Sequence, residues 1–135
     1  MTDAEFVQRF EDCTLANAEF HHRDHVRLAW LYLGRYPALE ALARFAAGLQ
    51  RFAAANGHPG LYHETITWAY LFLIHERRAA SPGGETWEEF AARNADLLAW
   101  NPSVLDRYYE RETLSSDLAR RLFVMPRPAR GESPG

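Results

Sequence analysis

Lysine does not occur in this chain of 135 residues; all fifteen basic residues are arginine. Its absence removes Schiff-base and phosphate-loop chemistry that depends on a lysine ammonium. Cysteine is nearly as scarce. A single thiol, Cys13, excludes disulfide scaffolds and cysteine-rich zinc sites. With no motif around it, Cys13 reads as a buried structural thiol rather than a nucleophile. Excess charge is small as well: a net charge of −3 gives no basic surface to hold nucleic acid. No apolar run reaches the length of a membrane span, and the acidic start Met1–Glu5 lacks the apolar stretch of a signal peptide. The expectation is a cytoplasmic chain with neither a nucleic-acid nor a membrane partner.

What is present is ordinary globular material. Hydrophobic residues make up 47% and charged residues 24%. That suffices for one domain with a real core. Apolar residues recur at helical rather than strand spacing almost throughout. The first helix is expected over about Ala4–Leu15, behind Thr2 or Asp3 as cap. The second runs over about Asp24–Arg35 and is apolar on nearly every side. The third covers about Ala38–Ala55, with Leu39, Leu42, Phe45, Ala46, Leu49 and Phe52 as its stripe. Asn56-Gly57-His58-Pro59-Gly60 ends it. The fourth opens at Leu61 or Tyr62 and continues to Arg78, again with no polar face. Thr86 caps a fifth that carries Trp87 to Leu98. A shorter segment starts at Ser103, and Ser115 or Ser116 caps a last helix to about Leu122. The fold class expected is all-α: a single-domain bundle of about five to seven helices over residues 1–125, helices 2 and 4 central. A flexible tail is expected over 126–135.

Chemistry concentrates in two short stretches, Phe20-His21-His22-Arg23-Asp24-His25 and Tyr62-His63-Glu64-Thr65. Each opens one of the two most apolar helices. Short connections make helices 2, 3 and 4 run up, down and up, so both stretches fall at one end of the bundle. His22 and His25 are i and i+3, which places both rings on one side of a turn, while His21 is rotated away by about 100°. His63 shares a line with Ile66, Thr67 and Tyr70. Imidazoles and a carboxylate on converging helices suit Zn²⁺, or Fe²⁺ with open positions. The expected ligands are His22, His25, His63 and Glu64, with Glu64 alternatively a general base and Arg23 and Asp24 as hydrogen-bond partners. Neither His-Glu-x-x-His nor the Glu-x-x-His of di-iron bundles occurs, which favours a mononuclear site. Against this, histidines at helix starts also cap and pack, and Glu64 at a helix start suits the dipole without any function. His75 lies roughly 18 Å along the helix from His63 and is placed at the other end. His58 sits in the loop before helix 4 as a surface residue.

Helix 5 returns to the same end, so Tyr62, Thr67, Trp100, Tyr108, Tyr109 and Arg111 are expected to line a pocket for a small, partly apolar anion. The competing reading makes them a hydrophobic lid with a solvated arginine. The pattern Phe20-x-His22-x-x-His25-x-x-x-Ala29 with Tyr62-His63-Glu64-Thr65-x-Thr67 resembles that of small bacterial helical proteins. The logic of the site resembles three-histidine metal bundles of the DinB type, whose spacings differ, so no residue role is carried over.

The functional expectation is a small metal-dependent enzyme with a mononuclear His-rich site, acting on a small molecule by hydrolytic or oxidative chemistry. Two alternatives stand beside it. One is a non-enzymatic helical regulatory or partner-binding protein with structural histidines; a homodimer is compatible with every one of these readings. The other is a metal-free enzyme using His63 and Glu64 as an acid–base pair.

Overall fold

The computed structural model describes residues 1–126, and in them every regular element is helical. The expected tail 126–135 therefore lies outside the described residues except for Pro126. Helix α1 spans Asp3–Glu11, opened by Thr2, whose hydroxyl accepts from Glu5 N–H while the Glu5 carboxylate accepts from Thr2 N–H. It is shorter than its apolar period implies, because the chain turns out at Cys13, which takes a left-handed φ of 57°. Helix α2 spans His22–Arg35 and α3 spans Ala38–Ala55. After a 3-10 turn at Pro59–Leu61, α4 spans Glu64–Ala79.

The expected fifth helix is two pieces, α5 over Trp87–Arg93 and α6 over Ala95–Leu98. Asn94 makes the break. Its side-chain amide donates to Phe90 O and its carbonyl accepts from Arg77, which also grips Asp96 with two hydrogen bonds of 3.0 and 2.8 Å. The competing side-chain bonds favour a bend over a continuous helix. A 3-10 turn at Val104–Arg107 leads to α7 (Arg111–Leu114) and α8 (Asp117–Arg121), the latter capped by Ser116. Five of these eight helices have seven or more residues, and the all-α bundle is the fold.

Helix α2 lies against α3, α4 and α6, and α4 against α2, α3 and α8. One continuous core joins α1 to α6, with Phe10, Phe20 and Phe52 mutually packed at ring distances of 4.8 to 5.7 Å. The third helix's stripe is buried at Leu42, Phe45, Leu49 and Phe52, half-buried at Ala46, and open at Leu39, which is 76% exposed although Ala41 in the same turn is buried. Nor is α4 enclosed on all sides. Its Trp68 and Phe72 face outward and are roofed by Phe123, stacked on Trp68 at 5.2 Å. No helix among the described residues is long and apolar enough to cross a membrane.

Candidate functional site

The starts of α2 and α4 open onto one cavity of about 550 Å³, bounded on its third side by α3. Its floor is apolar: Phe20, Val26, Phe45, Leu49 and Phe52 are all buried. From α4 come Ile66, Thr67 and Tyr70, the helical line that begins at His63. The mouth carries Asn17, His21, His58, Leu61, Trp100 and Arg120, all exposed.

Five histidines border this cavity, in unlike states. His63 precedes α4 as its cap. Its Nδ1 accepts from Ile66 N–H at 3.1 Å, so the ring hydrogen is on Nε2 and is donated to Leu114 O at 2.6 Å. Both ring nitrogens are thus engaged. Burial lowers its pKa, the bond to Leu114 opposes that, and nearby Arg120 adds to the lowering. His22 donates Nε2–H to Leu97 O at 2.9 Å, which leaves Nδ1 as its bare nitrogen. Burial again lowers the pKa, with the Leu97 bond in opposition. The ring packs on Tyr70 and Trp100, each at 4.8 Å.

His25 stacks on Phe20 at 4.1 Å and makes no side-chain hydrogen bond among the described residues. Burial, reinforced by His22 and His21, brings its pKa down to about 4. His21 is not rotated out of the site. It precedes α2 in an extended conformation, so helical geometry does not apply to it, and its N–H donates to Asp24 at 3.0 Å. His58 is exposed at the mouth, and His75 is exposed and does not border the cavity.

The expected residues therefore divide. His22, His25, His63, Tyr62, Thr67 and Trp100 border the cavity; Glu64, Tyr108, Tyr109 and Arg111 do not. Glu64 accepts from Tyr62 Oη at 2.5 Å and from Trp68 Nε1 at 3.0 Å, which holds its carboxylate beside the helix. Burial and this carboxylate raise the pKa of Tyr62. Tyr109 is buried elsewhere and donates to Val124 O at 2.7 Å, while Tyr108 and Arg111 are exposed. Among the described residues, no three His, Cys, Asp or Glu side chains form a group that could hold a metal ion. The floor residues of α3 were legible as a stripe; their role as a floor was not, since it depends on which helix faces them. Arg120 gave no local signal. It arrives from α8 through the packing of that helix on α4.

Comparison with family models, with curated proteins and with solved structures found no match, so geometry alone supports the reading of this site.

Proposed function

We propose that the cavity between α2, α3 and α4 binds a small, partly apolar organic molecule, and that His22 is the residue that accepts a hydrogen bond or a proton from it. The observation that carries this reading is the pairing of an apolar cavity of about 550 Å³ with an imidazole whose tautomer is set by Leu97 O. The volume lies within the range of ligand pockets, and a few convergent polar groups on an apolar wall are what orient a ligand. A neutral ring with one nitrogen tied to a backbone carbonyl presents the other as a base. In an enzyme this ring moves a proton; in a cytoplasmic binding protein it only orients the ligand.

One observation favours a metal-dependent form of the same site. His22 Nδ1 and both nitrogens of His25 have no protein hydrogen bond among the described residues. Zn²⁺ or Fe²⁺ held there by His22, His25, His63 and Glu64 requires His63 to release Ile66 or Leu114, and Glu64, whose two hydrogen bonds both fall on Oε1, to turn its carboxylate toward the cavity it does not border.

A thermal-shift screen of small amphiphilic compounds against untagged protein tests the proposal, run with and without a chelator. Ala53→Phe fills the cavity from α3, and His22→Ala removes the acceptor. The expected result is stabilisation of the wild type by members of the screen, abolished in Ala53→Phe, weakened in His22→Ala and indifferent to chelator. Loss of ligand response on chelation, with stoichiometric metal lost from His25→Ala and His63→Ala, would establish the metal-dependent form instead. Equal responses of wild type and Ala53→Phe would reject the cavity as the binding site.

A further inference from the structure

We infer that the molecule bound in this cavity is an anion, its apolar body on the Phe20–Phe45–Phe52 floor and a carboxylate or equivalent head against Arg120 at the mouth. The inference rests on the cavity being a ligand site and adds the charge of the ligand. Among the described residues, the ionisable side chains bordering the cavity are five histidines, Tyr62, Tyr70 and Arg120, with no Asp or Glu. Of the carboxylates near these residues in sequence, Glu19 is exposed and does not border the cavity, and three others are committed elsewhere. Asp24 accepts from His21 N–H, Glu64 from Tyr62 and Trp68, and Asp117 pairs with Arg121 at 2.7 Å.

Arg120 differs from its neighbour Arg121. Among the described residues it forms no ion pair, and its one hydrogen bond runs from Nη1 to Gly60 O at 2.9 Å. That bond fixes the guanidinium across the 3-10 turn beside the mouth and leaves Nε and Nη2 as free donors. Those two form one edge of the planar fork, the geometry that meets a carboxylate with two parallel bonds. A cationic head would meet this arginine with no carboxylate to compensate. A neutral head would leave the charge of Arg120 unused.

Calorimetric titration with octanoate, octanol and octylamine, which share one apolar body, tests the inference. The proteins are the wild type, Arg120→Gln, Arg120→Lys and, as an exposed control outside the cavity, Arg121→Gln. The expected result is octanoate binding to wild type roughly tenfold or more tightly than octanol, the scale of one charge-assisted hydrogen bond. Arg120→Gln brings octanoate to the level of octanol and leaves octanol unchanged. Arg120→Lys recovers part of the difference, and Arg121→Gln behaves as wild type. Octanol binding as tightly as octanoate, octylamine binding tightest, or no effect of Arg120→Gln overturns the anionic head while the cavity reading stands. Failure of all three to bind overturns the cavity reading and this inference with it.

Discussion

His25 is an imidazole that the fold keeps neutral. Its ring lies on Phe20 at 4.1 Å, and burial, with His22 and His21 adding to it, brings the pKa to about 4. In the unfolded chain the ring titrates at about 6.5. Between these values the unfolded chain binds a proton that the folded protein refuses. The stabilising contribution is therefore complete above about pH 6.5, falls as the pH drops, and is gone below about 4. A depression of this size corresponds to about 3 kcal/mol. His25→Leu removes that proton linkage. Urea unfolding at about pH 7.5 and about pH 4.5 is expected to show the wild type losing roughly 2 to 3 kcal/mol more than the variant over that interval. Equal losses would place the acid sensitivity on other groups. At this scale the sequence was legible in position but not in chemistry. The chain path alone puts His22, His25 and His63 at one end. It does not tell that His63 Nε2 finds a carbonyl 51 residues away. The commitment of Glu64 had a readable sign: Trp68 follows it by four residues, a spacing that sets the indole N–H over the carboxylate.

Helices were legible where one face decides them. The α3 period runs from Ala38 to Ala55 without interruption, and the helix has those ends. Where a side chain competes with the backbone, as Asn94 does under Arg77, the period continues and the helix does not. Crossing distances were not legible, and Gly48 illustrates why. It looks like a weak point in the middle of α3. In the fold it is the place where α1 approaches α3: a Cβ there would lie 2.5 Å from Cε2 and 2.9 Å from Cζ of Phe10. That ring is fully buried and wedged between Phe20 and Phe52, so it has no room to retreat. Overpacking costs typically 1 to 3 kcal/mol, and the gain in helix propensity from Gly to Ala offsets about 1. Gly48→Ala is therefore expected to lower stability by about 1 kcal/mol in urea unfolding, where an exposed helical glycine would give a gain. A measured gain would show that α1 can shift away from α3.

At the scale of the whole molecule, the described chain ends by returning across α4. The segment Leu122–Val124 is non-helical and is held by two side chains from distant elements. Thr65 donates to Leu122 O at 2.8 Å and accepts from Val124 N–H at 3.0 Å, while Tyr109 donates to Val124 O at 2.7 Å. Phe123, between them, covers Trp68 and Phe72. Local pattern could not announce this, because each bond joins parts of the chain more than a dozen residues apart. The same packing sets α8 on α4 and carries Arg120 to the mouth of the cavity. Three backbone bonds and one aromatic cover on a single short segment make a unit that is held or lost together. Thr65→Val keeps the side-chain shape and orphans two backbone groups, an expected cost of about 1 to 3 kcal/mol; Tyr109→Phe removes one bond, about 1 kcal/mol. If the segment detaches as one piece, the first substitution already forfeits most of what the second would remove. The double variant is then expected to fall short of the summed single costs by about 0.5 kcal/mol or more in a urea-unfolding cycle. Trp68 fluorescence, which reports the loss of Phe123 from its face, should change to the same extent in either single variant and no further in the double. Strictly additive costs would mean that Thr65 and Tyr109 hold the segment independently.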